Sequence, residues 1–100
     1  MDLCSNRCEL TACIAELDAL RYTPAGIPAL NLKLEHASSV SEAGQERQVK
    51  AVLRAVALGA TAERLAQQPV GSRWKFTGFL ASARNGKQVQ LHIQDITSDP

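Results

Sequence analysis

The sequence predicts an all-β fold: a five-stranded OB-fold barrel of Greek-key connectivity, with a short helix between strands 3 and 4. Three observations carry this prediction. Five segments read as strands, most of them by clean alternation of apolar and polar residues. A run of helix formers lies between the third and fourth of those segments, and Pro69 ends it. Asn85-Gly86, between the last two segments, is a hairpin signal, because a type I′ turn needs positive φ, which Asn and Gly tolerate. One hundred residues make a single domain, 1–100, with residues 1–5 expected to form a loose N-terminal end. A chain this short buries a modest core, so a partner subunit would help to stabilise it.

RCELTACIAEL (7–17) puts Cys8, Leu10, Ala12 and Ile14 on one face and Glu9, Thr11, Cys13 and Ala15 on the other, which makes it the first strand. YTPAGIP (22–28) is punctuation, two prolines flanking a glycine. ALNLKLEH (29–36) is the second strand: Leu30, Leu32 and Leu34 face a core while Asn31, Lys33 and Glu35 face out. ASSVSEAGQE (37–46) reads as a polar loop. RQVKAVLRAVALG (47–59) reads two ways, since its Ala, Leu and Arg suit a helix and its valines suit a strand. The flanking pattern makes it the third strand. ATAERLAQQ (60–68) is the short helix, with Thr61 as the candidate N-cap. GSRWKFTGFLASA (71–83) is the fourth strand, with Trp74, Phe76, Gly78 and Leu80 on one face and Arg73, Lys75, Thr77 and Phe79 on the other. Glycine at 78, in mid-strand, predicts a bulge or tight bend. KQVQLHIQDI (87–96) alternates Val89, Leu91 and Ile93 against Gln88, Gln90, His92 and Gln94, and is the fifth strand. In an OB-fold, the face of strands 2 and 3 and the loops joining strands 1–2 and 4–5 bind oligonucleotides or oligosaccharides.

The net charge of +1 hides an asymmetry. Residues 1–46 hold Arg7, Arg21 and Lys33 against seven acids, whereas residues 47–90 hold eight cations against Glu63 alone. A basic half suggests a polyanion partner; the competing reading is that its strands pair with the acidic half across the sheet. Cysteines at 4, 8 and 13 are an odd set clustered at one end, a poor disulfide framework. Their spacing, with His36 and His92 in no ligand pattern, does not resemble a metal site. Neither metal nor cofactor is expected. No phosphate-cradling Gly-rich loop, H-E-x-x-H or G-x-S-x-G is present. A Cys13–His36 pair meeting in space is the one catalytic constellation left open, and no enzymatic activity is expected. No run approaches the roughly 20 apolar residues of a membrane span, and MDLCSNRCEL lacks a basic-then-apolar signal pattern. The expectation is a cytoplasmic protein without a membrane partner.

Several segments, in one consistent order from Asn6 to Ile96, resemble the bacterial primosomal replication protein N (PriB) family. They are NR at 6–7, PAGIP with LNLKLEH at 24–36, EAG with RQ at 42–48, VGSR at 70–73, GF at 78–79, and NG with LH at 85–92. The G-I-P followed by L-E-H, and V-G-S-R, are the most specific. The resemblance implies a small homodimeric OB-fold protein without catalytic activity. Such proteins bind single-stranded DNA without sequence preference, stimulate the restart helicase and help hand off to later primosome factors. It also implies basic residues in the strand 4–5 loop, matched here by Arg84 and Lys87, and near the strand 1–2 loop, where Arg21 sits. Lys50 stands where the family can carry a stacking aromatic, and no Phe, Tyr or Trp occurs between Ile27 and Arg73.

Binders of single strands combine a cationic groove with aromatics under the bases. On that basis the candidate DNA-binding residues are Arg21, Tyr22, Lys33, Lys50, Arg54, Trp74, Arg84 and Lys87. Lys50 and Arg54 lie four apart, which on a strand puts both on one face about 13 Å apart, a spacing that suits successive phosphates. Lys33, on the neighbouring strand, extends the patch, although Glu35 stands beside it. Tyr22 and Trp74 are the stacking candidates, each with a structural role as the alternative: a turn for Tyr22 and the core for Trp74. Phe76 reads as core. The rival function is a protein-interaction module whose basic face docks protein partners with little DNA binding, using the outward apolar residues Val52, Val56 and Leu58.

Overall fold

A computed structural model describes residues 3–84 and 86–98. Met1 and Asp2 of the expected loose end, and Asn85 of the expected turn, lie outside the described residues. The chain forms β1 (Cys8–Leu17), a two-residue β2 (Arg21–Tyr22), β3 (Pro28–Glu42), β4 (Gln45–Leu58), α1 (Ala60–Ala66), β5 (Arg73–Ser82) and β6 (Val89–Ser98). The sheet runs β1-β5-β6-β4-β3-β2, and β1 pairs also with β3, which closes a five-stranded barrel. All pairings are antiparallel except β4 with β6. This is the OB-fold, with its helix in the expected place.

Closure depends on β1 serving two neighbours. Cys8 to Cys13 pair with β5, and Cys13 to Leu17 pair with β3. A register shift between Ile14 and Glu16 lets the strand turn from one to the other. The alternation in the sequence then fills the interior: Ile14, Leu30, Leu34, Phe76, Leu91 and Ile96 are fully buried. Ala62 and Leu65, three apart on one face of α1, are buried against them.

Three boundaries differ from those expected. The polar stretch 37–46 is not a loop: β3 and β4 continue their ladder to Glu42 opposite Gln45, around Ala43 (φ 53) and Gly44 (φ 77). Both positions have the positive φ of a two-residue hairpin turn. The extension forms an arm beyond the barrel, held by Arg47 Nε at 3.2 Å from Glu42 Oε1 and by Ser39 Oγ donating to Glu46 Oε1 at 2.7 Å. Thr61 is not the helix cap. Gly59, at φ 70, turns the chain out of β4 and stands at the N-cap position, while Thr61 Oγ1 donates to the Gln94 carbonyl at 3.3 Å. The helix ends at Ala66 rather than Gln68.

Gly78 lies at a register shift of β5 against β6, the bulge its position predicts. Beyond it the β5–β6 hairpin forms a second arm, closed by Ala83 N donating to Gln88 O at 2.6 Å and Gly86 N donating to Ala83 O at 2.7 Å. Val56, expected on an exposed outer face, is 6% exposed. It pairs with His92 of β6, whose ring stacks on Phe79 with centroids 4.9 Å apart. Val52 and Leu58 are exposed as expected.

Candidate nucleic-acid interface

Cross-strand register decides which side chains meet on the outer face of β3 and β4. Lys33 stands directly opposite Arg54, Glu35 opposite Val52, and Ala37 opposite Lys50. Directly opposed residues have Cβ atoms about 5 Å apart, so Lys33 and Arg54 repel each other. Glu16 on β1 offsets part of that repulsion, with Oε2 at 3.5 Å from Lys33 Nζ. Among the described residues no carboxylate pairs with Arg54, Lys50 or Arg84. Cations crowded in this way are stabilised when an anion settles over them.

The stripe extends at both ends. Arg21 of β2 donates from Nη2 to Asn31 Oδ1 at 2.9 Å, and Asn31 precedes Lys33 on the same face. Lys50 lies four residues from Arg54 on the same face of β4. Arg21, Lys33, Arg54 and Lys50 therefore belong to one surface. Tyr22 follows Arg21 in β2 and is 63% exposed.

Two depressions mark this surface. The larger, about 760 Å³, runs along Thr11, Cys13, Glu35, Lys50, Val52 and Arg73. Its floor follows one row of partners across the barrel: Arg73 opposite Cys13, Cys13 opposite Glu35, Glu35 opposite Val52. The smaller holds Glu16, Asp18, Asn31, Lys33, Arg54 and Gln90. Gln90 is in β6, so the β5–β6 arm leaves the barrel beside the Lys33–Arg54 pair. Arg84 and Lys87 are exposed near the tip of that arm.

Trp74 is placed differently. Its ring is partly buried against the core on the inner face of β5. Nε1 donates to Ser72 Oγ at 2.9 Å, and Ser72 Oγ donates to the Pro69 carbonyl at 2.6 Å. The Arg64 guanidinium lies 5.6 Å from the ring centroid, and Arg64 Nη1 donates to Ile96 O at 2.9 Å. The structure thus gathers Arg21, Lys33, Lys50 and Arg54 with the arm of Arg84 and Lys87, and sets Trp74 apart beneath Arg64.

Two residues join the surface that sequence reasoning did not place there. Arg73 shares the larger groove with Lys50, and Gln90 shares the smaller cleft with Arg54. The outward alternation of Arg73 and Lys75 was the available signal. What it lacked was the β1 register that carries Arg73 to the β3–β4 face. Part of the basic half does pair with the acidic half, as in Arg47–Glu42 and Lys75–Glu9.

Cys13 and His36 both line the larger groove, but the imidazole is committed elsewhere. Nδ1 donates to the Thr11 carbonyl at 2.7 Å, and Nε2 accepts from Ser38 Oγ at 2.8 Å. No ring nitrogen is left to activate the thiol. The three cysteines are free thiols, and among the described residues no cluster of His, Cys, Asp and Glu has the arrangement of a metal site. Among the same residues, no helix is long and apolar enough to cross a membrane.

Comparison with known proteins points in one direction. The model of a family described as "another single-strand binding protein family" matches residues 6–95. The replication restart protein PriB of Bordetella pertussis is 49% identical over 90 residues, covering 89% of this chain and 84% of that protein. Among solved structures, PriB from Ralstonia solanacearum superposes with a TM-score of 0.86 at 34% identity, covering 95% of this chain and 98% of that one. The single-stranded DNA binding protein of Thermus aquaticus superposes with a TM-score of 0.75 at 28% identity, covering 93% of this chain and 49% of that one.

Proposed function

The chain belongs to the replication restart protein PriB family, and on that premise we propose that it is a non-enzymatic accessory protein of the replication-restart primosome in the cytoplasm. It binds single-stranded DNA without sequence preference, stimulates the restart helicase and passes the strand to later primosome factors. The observation that carries the DNA reading is the directly opposed Lys33–Arg54 pair, continued by Arg21 and Lys50 and flanked by the basic arm. Backbone phosphates lie along Lys50 and Arg54, and Arg84 and Lys87 reach over the strand. Tyr22 offers an exposed ring for a base. Trp74 stacks on a base only if Arg64 moves off its ring.

Fluorescence anisotropy of a labelled oligo-dT, titrated at several salt concentrations, tests this reading. The expected result is binding whose log affinity falls linearly with log salt, with a slope of roughly −0.7 for each phosphate neutralised. Absence of binding even at low salt would overturn it. It would make the larger groove, with exposed Val52 among its charges, a docking face for a protein partner. Stimulation is checked by the unwinding rate of the restart helicase on a forked substrate with and without this protein, a rise being expected.

We propose further that the working form is a homodimer. Cys8 to Ala12 of β1 pair with β5 on one side, while pairing with β3 begins only at Cys13. An open strand edge accepts another strand, and a second copy of β1 would fill it. Native mass spectrometry is expected to show twice the 10.8 kDa chain mass as the main species; a monomer at micromolar concentration would refute the dimer.

A further inference from the structure

Asn6 is part of the N-R pair before the first strand, and the DNA surface described above makes no use of it. Its side chain has a specific place. β1 accompanies β5 only as far as Cys8 opposite Gly78, whereas β6 continues beside β5 to Ser82 opposite Val89. From Phe79 onward, among the described residues, one side of β5 has no paired strand. Leu80 presents its backbone N–H and carbonyl on that side. Asn6 takes both: Nδ2 donates to Leu80 O at 2.7 Å, and Leu80 N donates to Asn6 Oδ1 at 2.9 Å. The carboxamide is chemically a peptide group, and it supplies one more rung of ladder after β1 has ended. The two bonds also fix which way the amide faces, since Leu80 N–H requires an oxygen opposite it.

The level of this rung matters. Leu80 is the cross-strand partner of Leu91, and Leu91 is the partner of Ala55 on β4. Four groups therefore lie in one row: the Asn6 side chain, Leu80, Leu91 and Ala55. This row is where the β5–β6 arm leaves the barrel. Beyond it the pairings of the arm are between its own strands, Ala81 with Gln90 and Ser82 with Val89. The arm is held on one flank by β4 and on the other by Asn6.

We propose that Asn6 is a positioning residue for DNA binding, holding the basic arm at the angle that brings Arg84 and Lys87 over the β3–β4 stripe. The proposal rests on the DNA reading of that arm. Leverage makes the base of the arm important. Arg84 lies four residues beyond Leu80, at most about 13 Å along the chain, so a swing of about 20° at the base moves it by up to about 4–5 Å. That displacement is enough to lose a direct phosphate contact.

The test is a double-mutant cycle in the full chain, read by anisotropy on labelled oligo-dT at low salt. Asn6→Ala removes both bonds. Asn6→Asp keeps an acceptor for Leu80 N–H and sets a carboxylate oxygen against the Leu80 carbonyl. Both are expected to bind roughly 3- to 10-fold more weakly than the parent, and neither to bind more weakly than the parent in an Arg84→Ala, Lys87→Ala background. Amide exchange at Leu80 is expected to accelerate at least tenfold in Asn6→Ala. Equal losses of affinity in both backgrounds would show a general structural role and overturn the proposal. So would faster exchange at Leu80 with affinity unchanged. If Arg84→Ala, Lys87→Ala alone leaves affinity intact, the arm's DNA role fails first, and the role of Asn6 with it.

Discussion

Gly78→Ala is expected to unfold the barrel or leave it roughly 3 kcal/mol or more less stable, at the upper end for overpacking. Urea denaturation followed by circular dichroism measures this. A methyl group at position 78 would overlap the His92 carbonyl, whose oxygen and carbon both lie inside contact distance. Those atoms are backbone, so no side-chain rotation relieves the overlap. β6 would have to move away from β5 where the two change register, next to the Phe79–His92 stack and the Leu80–Leu91 pair. Replacing glycine by alanine usually stabilises by restricting the unfolded chain, by about 0.4–1 kcal/mol where the backbone allows it. Here the steric term is larger and opposite in sign. Gly26→Ala is the control. Position 26 has φ 83 but open space where a methyl group would stand, so it carries backbone strain alone, a cost of about 1–2 kcal/mol. Gly78→Ala no less stable than Gly26→Ala would mean that β5 and β6 do not approach this closely.

Removing Lys50, Arg54, Arg84 and Lys87 together, each to Ala, is expected to weaken oligo-dT binding on the order of a thousandfold at 50 mM salt. It should also flatten the log–log salt dependence by about 2.8, four contacts at about 0.7 each. All four side chains are exposed and none is in the core. Stability should therefore change little, since surface substitutions of this kind usually stay within about 0.5 kcal/mol each. The slope is the more informative readout. An affinity loss with the slope unchanged would mean that these cations do not meet phosphates, and the docking reading would then account for the basic face. A thousandfold loss with a flattened slope would mean that these four cations meet phosphates and bind through counterion release.

Much of the barrel is legible from the residues. Leu30, Leu32 and Leu34 alternate with Asn31, Lys33 and Glu35 because one side of β3 meets a core and the other meets solvent. Where both sides meet solvent the signal disappears. That is why Ala37 to Glu46 reads as a loop although its backbone forms a ladder, with Val40 41% exposed among serines and glutamates. The burial of Val56 is illegible for a related reason. Alternation assigns it to the outer face correctly, but His92 of a parallel strand, stacked on Phe79, stands beside it there, and strand neighbours distant in sequence leave no local mark. Lys50 and Arg54 can be put on one face from spacing alone. That Lys33 stands opposite Arg54, and that Arg73 joins Lys50, needs the register of three strand pairs. The position of Trp74 beneath Arg64 depends on how α1 packs against β3, β4 and β6, which composition does not encode.

The double duty of β1 has a kinetic consequence. β1 is made before both of its neighbours: it needs one from residues 32–35 and another from residues 73–78. During synthesis it can find the first while the second does not yet exist. Until β5 is made, Leu10 and Ala12 lack the strand that pairs with them on one side. Pairings this distant along the chain incur their loop-closure entropy before any contact repays it, and they belong to the slow end of single-domain folding, milliseconds to seconds. The barrel cannot close until β5 stands between β1 and β6, its first and last strands. Truncating residues 73–82 would leave two unpaired edges and no barrel, while shortening the β3–β4 arm would remove only pairs formed between near neighbours and leave the folding rate almost unchanged.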